Sequence, residues 1–489
     1  MSQAEIIEAR SFDYVPENER HGNVTNQIQL WFMVNANLIT LFTGAVGSLY
    51  KLDLLWTLVA ILLGSVFGTL FQAFHGAQGP RMGLPQMIQS RVQFGSRGAV
   101  IPLVAAMLSQ FGFAIFLIQT GAQSIVDVTR IDHTSLFQVS FAIAAMIIAI
   151  IGYRLVLRVE KFASYATLIN LVFLTIAALV VLPIRPMLSH QHFMFVPFLA
   201  QFGASATYQI AIAPIVSDYT RYLPTKTKGS TVSAAVFCGT LLSAIWLESL
   251  GAALSIAFPN IDVIASIRNM GDSFGFGLGA ATMVVAAISC LITCAITFYS
   301  GTVALLSAAE AFRPIRSTIG LRAVTIVGCG ALVVAAVLLM PANILDSFSA
   351  FLSILAYFLI PWTAVNLTDY YFVRRGAFSI SDIMRPDGGI YGRWGISGIV
   401  SYAIGFVAMI PFFSTSLYTG PIAVMLGKAD IAFSVGLVVS TSIYVFLMRN
   451  FDFLSELKLV ACAKLNTIDN HDAVNSGEST DRYTTAANS

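Results

Sequence analysis

Long apolar runs separated by short polar stretches divide most of the chain. Many of them, including 54–72 and 163–182, approach the roughly 20 residues that a helix needs to cross a bilayer. They lack the strict alternation of apolar and polar residues that is typical of an outer-membrane barrel strand. The pattern predicts twelve spanning helices, at residues 28–47, 54–76, 98–124, 136–154, 160–183, 194–216, 230–257, 275–309, 322–341, 345–371, 396–414 and 430–449.

The basic residues alternate in density between successive loops. If the amino terminus lies in the cytoplasm, 22 of the 27 Lys and Arg residues fall on the inner side and five on the outer side. Membrane insertion produces this asymmetry through the positive-inside rule. The chain is therefore predicted to be a multi-pass protein of the inner or plasma membrane with both ends in the cytoplasm. The five outer residues are Lys51, Arg130, Arg185, Arg268 and Lys428.

Composition excludes a soluble globular protein. Hydrophobic residues make up 57% of the chain and charged residues 11%, whereas a soluble domain has about 25% charged residues. The first 27 residues are polar and lack the apolar core of a cleavable signal peptide. Nothing in the sequence suggests nucleic-acid binding, and it carries no signal for an oligomeric state.

Known catalytic motifs are missing from the sequence. It contains no HExxH, GxSxG, phosphate-binding loop or Cys/His cluster, and its five cysteines show neither metal spacing nor a disulfide pattern. We therefore expect neither an enzyme nor a cofactor. The predicted organisation is a cytoplasmic tail at 1–27, a transporter domain at 28–449 and a cytoplasmic, largely disordered tail at 450–489.

Two predicted helices look interrupted by polar residues. The helix at 28–47 carries Asn35 and Asn37 near mid-membrane, and the helix at 194–216 carries Tyr208, Gln209 and Pro214. Broken helices occur in membranes where the freed backbone groups line a cavity, and inverted-repeat transporters place them at matching positions. Five helices separate the two starts, which favours one repeat at 28–183, a second at 194–371, and additional helices at 396–449.

The buried amides of Asn35, Asn37 and Gln209 have two possible roles. They either contact a ligand or form hydrogen bonds between helices, which are worth about 1 kcal/mol each in membranes. The helix at 275–309 presents a row of hydroxyls that includes Thr293 and Thr297, with Ser289 one turn earlier. These hydroxyls either serve a cation or substrate or bond back to carbonyls of their own helix.

Three further features carry charge or unusual composition. Glu248 lies inside a membrane run, where an ionisable group is a functional hypothesis by default, and it either carries a proton or sits near the outer mouth, paired or solvated. Asp218 and Arg221 are interpreted as a structural or gating ion pair. The loop at 76–95 is rich in Gly and Pro yet apolar, which favours an amphipathic or re-entrant segment at the membrane surface over a plain connector.

Four motifs resemble those of the nucleobase:cation symporter-1 family, the purine–cytosine permeases and their relatives. GPRMGLPQMIQSRVQFG at 79–95 resembles the loop after the second helix, and APIVSDYTRYLP at 213–224 resembles the end of the sixth. PWTAVNLTDYYFVRRG at 361–376 is similar to the tenth-helix signature. The sequence YTGP followed by Ala429 and Asp430 is similar to the loop before the last helix.

The resemblance implies a twelve-helix transporter with the five-plus-five inverted-repeat fold of sodium-coupled amino-acid transporters. Its substrate would be a flat heterocycle of the purine, cytosine, uracil, hydantoin or allantoin type, bound where aromatic rings stack and amides read its edge. A cation, either a proton or sodium, would drive uptake by alternating access. By position, the resemblance places in the substrate site Asn35, Asn37, Gln110, Phe111, Phe113, Tyr208, Gln209, Thr293 and Thr297.

The same resemblance suggests coupling and gating residues. Cation or proton coupling is predicted for Glu248, Ser289 and Thr293. A gating or structural role is predicted for Asp218, Arg221, Arg81 and Arg91. The pattern expected of a sodium site is not clean here, so both coupling ions stay open.

Two departures from the family pattern affect the substrate. Thr293 and Thr297 stand where other members hold the heterocycle with Asn, and a threonine cannot reproduce the paired donor and acceptor of an amide. Phe replaces the Trp that stacks on the substrate in the hydantoin branch. A symporter for another small solute, such as a vitamin-type ring or an amino acid, therefore stays open, as does a non-transporting receptor.

Overall fold

The computed structural model describes residues 14–151, 153–189, 192–259, 261–313, 318–341 and 343–462, without the side chains of 153–162. In this part of the chain the regular structure is helical, apart from one isolated bridge between Ser414 and Thr419. We number the principal helices α1 (Val24–Val34), α2 (Leu38–Leu49), α3 (Leu54–Gly76), α4 (Val100–Thr129), α5 (Thr134–Ile151), α6 (Tyr153–Val181), α7 (Phe195–Ile210), α8 (Ala213–Thr220), α9 (Gly229–Ala257), α10 (Leu278–Glu310), α11 (Ile319–Leu339), α12 (Ile344–Thr368), α13 (Ile396–Met409) and α14 (Ala432–Leu447).

The described residues form at least eight membrane-spanning helices by length and apolarity. The bent pair of α1 and α2 makes nine, and α13 and α14 are shorter apolar helices. The prediction of an all-helical, multi-span protein is confirmed. Each predicted segment coincides with one or two of these helices, while the count of twelve spans and the two repeats stay predictions.

The two helices predicted to be interrupted are each split into two. The segment predicted at 28–47 forms α1 and α2, which are bent by 55° at the break. Asn37 causes this break locally, because its Oδ1 caps α2 by accepting the N–H groups of Ile39 (2.8 Å) and Thr40 (3.3 Å). The segment predicted at 194–216 forms α7 and α8, with Pro214 in the first turn of α8.

Small residues bring the helices around these breaks into backbone contact. A Cβ atom at Gly64 or Gly68 of α3 would overlap the carbonyl oxygen of Phe202 or Ala206 in α7. Such close approach is the usual way in which helices associate in a membrane, where lipid is as apolar as the helix surface. It fixes α7, and with it the second break, against α3.

The loop after α3 is buried among the helices. It forms three short helices, Gln78–Met82, Gln86–Gln89 and Arg91–Gly98, and nearly all of their residues are buried. Its polar side chains bond to the end of α12, where Gln78 Nε2 donates to Asn366 Oδ1 (2.8 Å) and Gln93 Nε2 donates to Asp369 Oδ2 (2.7 Å). The segment predicted to pack at the membrane surface is therefore held inside the protein by partners 288 and 276 residues away.

Both predicted tails contain ordered, packed residues. Arg20 is buried and its guanidinium donates to the Pro80 carbonyl (2.6 Å). Residues 453–462 form a helix, and Glu456 on it accepts a hydrogen bond from Arg374 Nε (2.7 Å). A helix therefore occupies the start of the tail predicted at 450–489 to be largely disordered, while 1–13 and 463–489 lie outside the described residues.

Candidate functional site

A cavity of about 140 Å³ lies at the two helix breaks. The residues around both breaks form one side of it, and α4, α6 and α10 complete the wall. Seven residues predicted from the sequence for the substrate or coupling site line this cavity: Asn37, Gln110, Phe113, Tyr208, Ser289, Thr293 and Thr297. Helices far apart in the chain thus bring most of the predicted site together.

The amide of Asn37 is already engaged in holding the break. Its Oδ1 caps α2, and its Nδ2 donates to the Val34 carbonyl (2.8 Å) at the end of α1. The Tyr208 hydroxyl, on the other broken helix, forms a hydrogen bond with Thr40 Oγ1 (2.9 Å). These polar groups therefore shape the cavity wall before any ligand is present.

Gln110 and Ser289 have polar groups without a hydrogen-bond partner among the described residues. Gln110 also lines a second cavity, so its amide faces the space through which a solute would pass. The hydroxyls of Thr293 and Thr297 donate to carbonyls of their own helix, at Ser289 (2.9 Å) and Cys294 (2.8 Å). Each still has lone pairs that can accept a hydrogen bond from a ligand.

Three predicted substrate residues lie outside the cavity lining. The Phe111 ring packs against Phe298 and sits over Gly301 of α10. Asn35 and Gln209 are fully buried behind the wall, where Asn35 Nδ2 donates to Gln209 Oε1 (3.3 Å). Their predicted role in substrate binding stays a prediction, and any such role acts through neighbouring residues in this conformation.

Glu248 belongs to the same buried polar cluster as Asn35 and Gln209. The side chain is fully buried, and Gln209 Nε2 donates to its Oε1 (3.4 Å) while Ser65 Oγ donates to its Oε2 (3.5 Å). The structure therefore buries Glu248 and does not place it near a solvated mouth. The cluster lies beside the break residues but on the far side of the cavity wall.

Sequence reasoning missed several lining residues. Met33 and Tyr219 flank the two breaks, and Ser164 of α6 adds a hydroxyl from the opposite wall. Ser164 follows a charged stretch at the start of its helix, so no feature of the sequence indicates that it faces a cavity. Tyr219 lies in the 213–224 motif, which was a usable signal.

A second cavity adjoins the central one. This second cavity, of about 230 Å³, shares Gln110, Ile215 and Tyr219 with the central cavity and extends past Gln27 near the start of α1. The shared residues form the passage between the two cavities. The second cavity therefore lies between the site and the face that holds the start of α1, which we call the amino-terminal face.

Aromatic rings close the opposite side. The Phe351 ring of α12 packs against Phe113 (5.2 Å between centroids) and Phe116 (5.3 Å) of α4, and Phe348 packs against Phe116 (5.1 Å). A third cavity of about 480 Å³ lies beyond this layer and shares no described lining residue with the central one. The rings therefore separate the site from that face.

Two of the four predicted gating residues, Asp218 and Arg221, line the second cavity. Arg221 Nε donates to the main-chain oxygen of Asp218 (3.2 Å), and the Asp218 carboxylate accepts the N–H of Gln86 (2.9 Å). Arg91 is buried and donates to the Ile383 carbonyl (3.4 Å), while Arg81 lies beside Tyr370. Asp218 binds the buried loop, and Arg81 and Arg91 belong to it, whereas Arg221 bonds to Asp218 in its own segment. The gating role of these residues stays a prediction.

The described residues contain no group of three or more His, Cys, Asp or Glu side chains that could hold a metal ion. Cys290 and Cys294 are buried in α10, and within the described chain all cysteines are free thiols. The cavity is thus lined by hydroxyls, amides and aromatic rings, and the buried carboxyl of Glu248 lies behind its wall.

Comparison with known proteins identifies the kind of molecule that carries this site. Residues 14–436 match the family described as permeases for cytosine/purines, uracil, thiamine and allantoin. The putative purine-cytosine permease YxlA of Bacillus subtilis is 33% identical over 447 residues, which cover 91% of this chain and 96% of YxlA.

Solved structures share the fold. The inward-facing conformation of Mhp1 matches with a TM-score of 0.73 and 19% identity over 92% of this chain and 95% of that one. The closed conformation of Mhp1, a nucleobase-cation-symport-1 family transporter with bromovinylhydantoin bound, matches with a TM-score of 0.71 and 19% identity over 91% of this chain and 95% of that one. The protein is a transporter and not an enzyme, and it belongs to the family of permeases for cytosine/purines, uracil, thiamine and allantoin.

Proposed function

We propose that this protein takes up a nucleobase or a related planar heterocycle by cation-coupled alternating access. It would act in the inner or plasma membrane, with both ends in the cytoplasm, twelve spans and two inverted repeats. The observation that supports this most directly is the cavity at the two helix breaks, which is lined by rings and uncommitted polar groups. The coupling ion is a proton or sodium.

The chemistry of the cavity suits a flat ring with a polar edge. Phe113 and Tyr208 provide ring faces, and their centroids are 6.0 Å apart in an edge-to-face arrangement. The Gln110 amide can both donate and accept, as the edge of a nucleobase requires, and Ser289 adds a hydroxyl. These groups favour a nucleobase-like ring as the substrate, and the names of the purine-cytosine permease relatives favour the same class.

The openings fit one state of an alternating-access cycle. The passage past Gln110 and Tyr219 leads towards the amino-terminal face, while rings around Phe351 seal the other side. With the amino terminus in the cytoplasm, this is an inward-facing state. Uptake then requires a second state in which the rings separate and the passage closes.

A different small solute on the same scaffold is the alternative with a specific observation behind it. Thr293 and Thr297 offer hydroxyls that are bonded to their own helix, where an amide would read a nucleobase edge more strongly. A vitamin-type ring or an amino acid would need less edge reading. A non-transporting receptor accounts poorly for two cavities joined by a passage.

Thermal unfolding and counterflow with the purified protein test the proposal. The detergent-purified protein is screened for stabilisation by adenine, hypoxanthine, cytosine, uracil, hydantoin, allantoin, thiamine and leucine, in sodium and in sodium-free buffer. We expect one or more of the nucleobase-like rings to raise the Tm through binding linkage. The same ring should exchange in counterflow when the protein is reconstituted in liposomes.

Each outcome selects one reading. Stabilisation and counterflow with thiamine or leucine alone would replace the nucleobase class by another solute. Binding without counterflow would support a receptor. A Tm that rises with the ring only when sodium is present would identify sodium as the coupling ion.

A further inference from the structure

Glu248 is enclosed by neutral polar groups. Its contacts are the Gln209 amide and the hydroxyls of Ser65 and Ser205, from α3 and α7, and within the described chain no basic side chain pairs with it. A charged carboxylate without an opposite charge is costly inside a membrane, and such groups mark ion or proton pathways. The surroundings therefore suit a carboxyl that gains and loses a proton.

The amide of Gln209 connects Glu248 to the first helix break. Gln209 Nε2 donates to Glu248 Oε1 (3.4 Å), and Gln209 Oε1 accepts from Asn35 Nδ2 (3.3 Å). Asn35 is the residue that caps the carboxyl end of α1, and Gln209 is the penultimate residue of α7. One chain of hydrogen bonds thus joins the acid to both breaks, and we call it the Asn35–Gln209–Glu248 chain.

The same residues are connected to the cavity wall. Thr40 Oγ1 donates to the main-chain oxygen of Asn35 (2.6 Å) and forms a hydrogen bond with the Tyr208 hydroxyl (2.9 Å), which lines the cavity. Asn37, two residues after Asn35, lines the cavity as well. Thr40 therefore connects the hydrogen bonds of the Asn35–Gln209–Glu248 chain to Tyr208, a residue that a substrate would touch.

One atom of the Asn35–Gln209–Glu248 chain, the amide oxygen of Asn35, lacks a hydrogen-bond donor among the described residues. Asn35 Oδ1 is fully buried and accepts no hydrogen bond from the described residues, whereas Asn35 Nδ2 donates both to Gln209 and to the Thr240 carbonyl (3.1 Å). A buried, unsatisfied acceptor costs about 1–3 kcal/mol. If the neighbouring Gln209 amide turns over, Asn35 Oδ1 can accept a hydrogen bond in a second arrangement of the same side chains.

We propose that Glu248 carries the coupling proton, and that its protonation reverses the direction of the Asn35–Gln209–Glu248 chain. This inference rests on the proposed transport function and names its coupling ion. With Glu248 ionised, the bonds run as the structure has them, from Asn35 to Gln209 to the carboxylate. With Glu248 protonated, its O–H donates to Gln209 Oε1, and the Gln209 and Asn35 amides both turn, so that Gln209 Nε2 donates to Asn35 Oδ1 and the bond from Asn35 Nδ2 to the Thr240 carbonyl is given up.

The proton balance is simple. One proton from water on the outer side binds Glu248 when the site faces outward, and it is released to the cytoplasmic water when the site faces inward. Among the titratable groups of the packed helices, Tyr208 of α7 interacts electrostatically with Glu248, and Tyr208 in turn interacts with Cys290 of α10. The proton site is thus coupled to the cavity wall and is separate from the substrate space.

Comparison of Glu248→Gln with the wild type in liposomes tests the proposal. The probes are radiolabelled adenine, hypoxanthine, cytosine, uracil and hydantoin, each measured in counterflow at equal pH and in uptake driven by an inward pH gradient without sodium. The variant is expected to keep counterflow, which needs no net proton movement, and to lose accumulation above equilibrium. Asp132→Asn, at an exposed position after α4, is the matched control and should accumulate like the wild type.

A second readout uses the wild type alone, so it does not depend on folding of a variant. Internal pyranine should report acidification when an exchanging probe is added outside in sodium-free buffer. The positioning role of Gln209 is tested with Gln209→Leu, which should shift the pH profile of uptake, a change that lower expression alone cannot produce.

Three results would overturn the proposal. They are accumulation by Glu248→Gln equal to the wild type, uptake without acidification, and accumulation that follows a sodium gradient only. Absence of counterflow for every probe in the wild type is a different result, since it overturns the proposed transport function and this inference with it.

Discussion

Gly44 of α2 lies directly against the main chain of Glu248 in α9. A Cβ atom at position 44 would overlap the Glu248 carbonyl oxygen, and a Cβ at Gly251 would overlap the carbonyl oxygen of Leu41 in the same way. The half-helix after the first break is therefore in backbone contact with the helix that carries the buried acid. Movement of α2 must carry α9 with it or break this contact.

Replacement of Gly44 by alanine should destabilise the protein, because neither backbone can move without disturbing its other contacts. Overpacking of this kind costs about 1–3 kcal/mol, which should appear as a lower Tm in thermal unfolding of the detergent-purified protein. Gly203→Ala in α7 is the matched control, because a Cβ there meets nothing within 4 Å. Equal Tm values for the two variants would contradict the close contact.

The cap formed by Asn37 provides a second prediction. Asn37→Ala removes the acceptor for the Ile39 and Thr40 N–H groups, so we expect a loss of about 1 kcal/mol and a weaker affinity for the transported ring. Asn37→Ser keeps a capping oxygen and should retain most of the stability. Thermal unfolding and equilibrium binding measure the two effects, and unchanged affinity in Asn37→Ala would argue against a role for the break in the site.

The helix breaks were predictable because their causes are local. An Asn two residues before a capped N–H and a Pro in the first turn of a half-helix act within a few residues of themselves. The same holds for the apolar runs and for the motif that contains Tyr219. Local chemistry therefore identified where the cavity would form.

The partners of the polar side chains were not predictable in this way. Asn35 and Asn37 look alike in sequence, yet Asn37 caps a helix, whereas Asn35 donates a hydrogen bond to Gln209, 174 residues away. Phe111 and Phe113 likewise differ only in the direction each ring takes from α4. The buried loop at 76–98 needed knowledge of its acceptors in α12, which only tertiary packing supplies.

The ring of Phe351 should control access from the side opposite to the amino-terminal face. Phe351→Ala removes contacts with Phe113 and Phe116, so the outer closure should loosen. In a variant with Thr293→Cys as the only thiol, a membrane-impermeant maleimide added on that side should react faster. Phe358→Ala, on the same helix but stacked on Phe406, is the control and should leave the rate unchanged. Equal rates for both variants would contradict this closure.

Arg374 should be the most sensitive charged residue at the amino-terminal face. Its guanidinium donates to Asp369 Oδ1 (2.6 Å), which is fully buried, and to Glu456 Oε1 (2.7 Å). Arg374→Gln leaves the Asp369 carboxylate without its opposite charge, a change that costs about 3–5 kcal/mol for a buried pair. The expected Tm is therefore much lower, and addition of Asp369→Asn should restore part of it because the unpaired charge is gone.

Arg385→Gln breaks an exposed pair with Asp387 and should leave the Tm unchanged, since screened surface pairs contribute little. A similar loss in both Arg variants, or no recovery in the double variant, would show that Asp369 does not depend on Arg374.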